Sequence, residues 1–120
     1  MVSRKTAHTF QRTTHFVSQK EYIWFKLFGQ FQIDYSMASG TALLDNRRLK
    51  WSVLATDFAN ISTSFLSDIV PTYHQEKLTK ITLSKNLRIP LGTPFVIGAG
   101  DACLANLGSG ALEKGITTTQ

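Results

Sequence analysis

Residues 94–111 read "PFVIGAGDACLANLGSGA". A proline followed by Phe95, Val96 and Ile97 predicts a strand over 94–98, because proline is tolerated at a strand's first position and a continuous apolar run suits a strand buried on both faces. Gly98, Ala99 and Gly100 then make a turn. Asp101 heads a run rich in Ala, Leu and Cys that predicts a helix over 101–112. Ala102, Cys103, Ala105, Gly108 and Ala111 line that helix with small side chains, which permit close approach of another backbone. Strand, glycine turn and helix in this order indicate an α/β chain.

Two roles are open to Asp101 on these residues. It can be the N-cap of the helix, its carboxylate accepting the free amide protons of the first turn. It can also be a functional carboxylate at the C-terminal edge of a strand, where α/β sheets bind their ligands. In that second role Gly98 and Gly100 would allow a ligand to come close, and a side chain at either would intrude or strain the backbone. A dinucleotide fingerprint is excluded, since Cys103 stands where the third glycine is needed, and no Gly-Lys-Ser/Thr phosphate loop is present.

Upstream, "FVSQKEYIWFKLFG" over 16–29 predicts a helix. Ser18 and Glu21 have the spacing of a capping box and Gly29 supplies a stop. Its apolar residues cover so much of the surface that burial on more than one side is expected. "QFQID" is an extended link. A second helix is expected over 36–44, capped by Asp34 or Ser36, and "DNRR" is a turn or a frayed end. A third helix is expected over 51–59 with Trp51, Leu54, Phe58, Val53 and Ile61 inward. "FLSDIVP" is a helical turn ending before Pro71, and 81–83 is a weak strand. Such an order leaves the strand at 94–98 short of sheet neighbours.

The chain has 120 residues, 42% apolar and 18% charged, enough for one small core. No apolar run is long enough for a membrane span. The formal charge of +5 is unevenly placed, since the first 20 residues hold four basic side chains and no acid. Residues 1–15 therefore read as a polar, basic leader, solvated or atypical. Such a leader can touch nucleic acid or a membrane, or resemble an organellar transit peptide. The aromatic residues of the first helix sit at core spacing and are not interleaved with Lys and Arg, which argues against a nucleic-acid platform. Cys103 is the single cysteine, in keeping with a reducing cytoplasm. His8, His15 and His74 lack partners at metal-ligand spacing, so no protein metal site is expected.

Four segments in a fixed order carry a resemblance. They are "DYSMASGTALLD" (34–45), "RRLKWS" (47–52), "LSDIVPT" (66–72) and "IPLGTPFVIGAGDACLANLGSGAL" (89–112), preceded by "KEYIWFKLFGQF" (20–31). Together they are similar to a stretch of the FGGY carbohydrate kinases, and within that family to its bacterial gluconate kinases. The resemblance implies a partial actin-like, ribonuclease-H-like domain, with 16–120 as the C-terminal part of the family's N-terminal domain. It implies transfer of the γ-phosphoryl group of MgATP to a hydroxyl of a sugar or sugar acid. Asp101 matches the family's catalytic base and sugar-binding residue, with Gly98 and Gly100 at the substrate. The family's Asp-x-Gly-Thr hairpin and its adenosine-binding domain have no counterpart in these residues. The remaining kinase domains are therefore expected partners, ATP and Mg²⁺ are expected to bind mostly outside the chain, and the chain alone is expected to be inactive and to self-associate. A different class, a non-catalytic interaction module built from a kinase segment, stands as the alternative.

Overall fold

The computed structural model describes residues 10, 12–111, 113 and 115. Helix α1, Gln19–Phe28, starts at the expected capping box: Ser18 Oγ accepts from Glu21 N, and Glu21 Oε2 accepts from Ser18 N at 2.7 Å. Gly29 ends it at φ 81°, a left-handed conformation that glycine adopts without steric cost. One face of α1 is buried, through Glu21 and Trp24, while Tyr22 and Ile23 remain exposed. The expected burial on several sides is thus not met among the described residues.

The link after α1 is a strand. Strand β1, Gln32–Asp34, pairs in parallel with β4, Asp68–Val70, with Ile33 opposite Ile69. "SDIVP" is therefore extended where a helical turn was expected, and only Thr63–Phe65 forms a 3₁₀ turn. Helix α2, Tyr35–Gly40, is capped by Asp34 and is shorter than the expected 36–44. Its continuation becomes a small antiparallel pair, β2 (Leu44–Asp45) with β3 (Lys50–Trp51). The turn at "DNRR" is as expected, with Asp45 Oδ1 accepting from Arg47 N and Arg48 N.

Trp51 belongs to β3, and its indole Nε1 donates to Ser67 O at 2.9 Å. Helix α3, Val53–Phe58, follows a Ser52 cap. Its orientation reverses the expectation: Thr56 is buried, whereas Leu54 is 83% and Phe58 95% exposed. Thr56 can be buried because its hydroxyl donates to Ser52 O and Val53 O, so no donor is left unsatisfied.

Strand β5, Gln75–Lys77, pairs antiparallel with β6, Pro94–Val96. Between them lies α4, Ile81–Leu87, a helix where 81–83 was expected to be a strand. Strand β6 is shorter than the expected 94–98 and has β5 as its ladder partner. Helix α5, Asp101–Gly108, ends before the expected 112; Leu112 lies outside the described residues, as do residues 1–9 and 11 of the leader. Within the rest of the leader, His15 stacks on Phe31 with ring centroids 4.3 Å apart.

Trp24, Ile33, Ala38, Leu78 and Ile97 form the buried apolar core. Trp24 joins its parts. Its indole Nε1 donates to Gln32 Oε1 at 2.7 Å, and its ring lies 4.5 Å from Phe28. Phe28 in turn meets Phe95 edge-on at 5.6 Å. The buried face of α1 thus meets β1 through Trp24 and the β5–β6 pair through Phe28, and the end of β6 lies near the start of α2.

Candidate active site

Beyond Val96 the hairpin continues by two backbone bonds, Ile97 N to His74 O at 2.9 Å and Gly98 N to Thr72 O at 3.0 Å. Ile97 is buried and anchors the turn. Gly98 lies at φ 69°, where a β-carbon strains the backbone. Gly100 lies at φ −67°, ψ 147°, a conformation open to any residue. A β-carbon there would sit 3.5 Å from both Met37 Sδ and Ser36 Oγ, which is ordinary contact. The expected need for glycine thus holds for the backbone at Gly98 and not at Gly100.

Gly100, not Asp101, is the N-cap of α5. Asp101 is the first helical residue, exposed, with Oδ1 accepting from Ala102 N at 2.8 Å. The capping role read from the sequence is therefore shifted by one residue. The carboxylate stands at the N-terminal end of the helix, where the macrodipole favours negative charge.

The turn is held from across the molecule. Gly100 N donates to Ser36 Oγ at 2.6 Å, and Ser36 Oγ donates to Asp34 Oδ1 at 2.6 Å. Asp34 is fully buried, also accepts from Ser36 N and Met37 N through Oδ1, and meets Lys20 Nζ at 2.6 Å through Oδ2. Burial alone would raise the Asp34 pKa. The hydrogen bonds from Lys20, Ser36 and Met37 and the charge of Lys20 outweigh it, and the carboxyl is held below its ordinary 3.8.

Beside this network opens a cleft of about 480 Å³. Its walls include Phe16, Ile33, Met37, Leu43, Trp51 and Leu66, and Ser36 also reaches it. Asp101 does not line it. A wall this apolar offers few partners to a polyhydroxylated ligand, so the exposed side of the turn is the better candidate for a polar substrate.

Gly98, Gly100 and Asp101, singled out from the sequence, fall on one continuous turn. Ser36 was missed as the partner of that turn, and Lys20 as the partner of Asp34. Asp34 was read as a helix cap, which it is, but not as the buried centre of a network. The local Asp-x-Ser spacing announces the cap; nothing local announces a partner 64 residues away.

The profile of the FGGY family of carbohydrate kinases, N-terminal domain, matches residues 2–108. The chain belongs to the FGGY family. The gluconokinase of Bacillus subtilis (strain 168) is 39% identical over 100 residues, covering 83% of this chain and 20% of that protein. A crystal structure described as gluconate kinase from Lactobacillus acidophilus superposes with a TM-score of 0.84 at 30% identity, over 90% of this chain and 22% of that one. One described as ligand-bound xylulose kinase from the same organism gives the same TM-score and identity. The chain thus spans about one fifth of the length of the relatives it matches. Its mixed helices and short strands are part of the actin-like, ribonuclease-H-like fold of these FGGY kinases.

Proposed function

We propose that this FGGY segment carries the catalytic base of an ATP-dependent kinase that phosphorylates gluconate to 6-phosphogluconate. The observation that carries the reading is an exposed carboxylate, Asp101, at the end of a glycine turn that is itself held in place. In this reading the substrate hydroxyl oxygen attacks the γ-phosphorus, the bond to the ADP oxygen breaks, and the hydroxyl proton passes to Asp101. Phosphoryl transfer depends on positioning and charge stabilisation more than on a strong base, so a carboxylate suffices. MgATP enters as co-substrate, and most of its contacts are assigned to domains outside these residues. Identity to gluconokinase supports gluconate over other sugars. The likeness to structures described as gluconate kinase and as xylulose kinase supports the phosphoryl-transfer class without choosing between substrates. The exposed free thiol of Cys103 fits a cytoplasmic protein.

The test uses a full-length gluconokinase carrying these residues at the matched positions. Asp101→Asn keeps the shape and removes the base, so kcat for gluconate should fall by about 10²–10⁴ with little change in Tm. Near-parental kcat with a lowered Tm would assign Asp101 to structure instead. The 120-residue chain alone, given MgATP and gluconate, should release no ADP above background.

A second reading, a non-catalytic interaction module, is favoured by one observation. Val53, Leu54 and Phe58 present an apolar face of α3 to solvent, and such faces recruit other chains. A clean, cooperatively melting monomer in solution would make the segment an independent module.

A further inference from the structure

Helix α5 begins without a side-chain cap, because its N-cap residue is a glycine. The direction in which Asp101 leaves the turn must therefore be fixed by something else. Ser36 meets that need: its Oγ accepts from Gly100 N at 2.6 Å, across 64 residues of sequence. A hydroxyl has one proton to give. Asp34 Oδ1, at 2.6 Å, takes it, since an ionised carboxylate can only accept. The Ser36 lone pairs are thereby turned toward the Gly100 amide. Asp34 is kept ionised, against the cost of its burial, by Lys20 Nζ at 2.6 Å and by its hydrogen bonds from Ser36 and Met37. A directed chain of hydrogen bonds, the first two charge-assisted, runs from α1 through Asp34 and Ser36 to the residue before Asp101.

We propose that Lys20, Asp34 and Ser36 are positioning residues that set the orientation of the Asp101 carboxylate toward its substrate. The proposal rests on the reading of Asp101 as the base. In this assignment the three act through the Gly100 amide. Loss of the Ser36 hydroxyl leaves the turn anchored at its Ile97–Gly98 end and frees the Gly100 end that leads into Asp101. Misplacement of a reacting group by about 1 Å can cost on the order of a hundredfold in rate.

Three variants of a full-length gluconokinase carrying these residues decide it: Ser36→Ala, Ser36→Thr and Asp101→Asn. Ser36→Ala should lower kcat by about ten- to a hundredfold with KM for ATP unchanged. It should also accelerate hydrogen exchange at the Gly100 amide. Ser36→Thr keeps the hydroxyl and should recover most of both. Parental kcat or parental Gly100 exchange in Ser36→Ala overturns the proposal, as does an equal loss in Ser36→Ala and Ser36→Thr. If Asp101→Asn lowers kcat while Ser36→Ala leaves it at the parental value, the positioning role fails and the base stands. If Asp101→Asn turns over normally, the reading of the base fails and the proposal falls with it.

Discussion

Gly98 and Gly100 look equivalent in a string of letters, yet the backbone asks for glycine at only one of them. At φ 69°, with open space around its α-carbon, Gly98 should resist Ala through backbone strain alone. Gly98→Ala should cost about 1 kcal/mol, whereas Gly100→Ala should leave Tm nearly unchanged; thermal melts of the full-length kinase separate the two. Asp34 carries a second consequence at this scale. Its pKa is depressed in the folded state, so the native state binds fewer protons and stability rises with pH through the window just below the ordinary carboxylate value. The Asp34 contribution should be fully present above about pH 4 and be lost as pH falls through the lower, folded pKa. Urea midpoints of the parent and of Asp34→Asn, followed from neutral to acid pH, should converge at the acid end. Parallel curves would place the acid sensitivity elsewhere.

Elements were legible where their signals are local. The Ser18–Glu21 capping box and Gly29 mark both ends of α1 within a dozen residues, and α1 lies there. The Asp34 cap and the glycine turn before α5 are local too. Helix α4 was not legible because its N-cap, Lys80, makes no side-chain capping bond and its end is Arg88 at φ 55° in place of a glycine. Strand β4 is three residues long and exists through its parallel pairing with β1, a long-range contact that no short window contains. In α3 the apolar period was real but its direction was not readable. A period says which residues share a face, not whether that face meets a neighbour. The site divides the same way. Asp101 and its glycines are consecutive and were found together, while Ser36 reaches them only through the docking of β1 and β6 on α1.

For the molecule as a whole, unfinished burial is the dominant feature. The radius of gyration is 17.2 Å, against about 14 Å for a compact domain of this length. Leu54, Phe58, Tyr73, Ile81, Val96 and Leu107 are exposed. Leaving such side chains in water forfeits about 1.5–3 kcal/mol each relative to burial, a large share of a net stability of roughly 5–15 kcal/mol. The isolated 120-residue chain should therefore self-associate or bind hydrophobic dye. Size-exclusion chromatography with light scattering reads this directly, and Leu54→Ser with Phe58→Ser should shift the profile toward monomer. A sharp melt from a monodisperse parent chain would refute it.

The bond between Ser36 and Gly100 closes a loop of 64 residues. Closure entropy rises only slowly with loop length, about 0.6 kcal/mol per doubling, but it must be met before the contact returns anything. The ends can meet only after β1, β4, the β5–β6 hairpin and α1 have come together. A newly made polypeptide thus carries its acid on an untethered turn until assembly of this region is complete. If Asp101 is the base proposed above, its orientation is set only once these elements have docked, and the same Ser36 hydroxyl then reports that the intervening chain has folded.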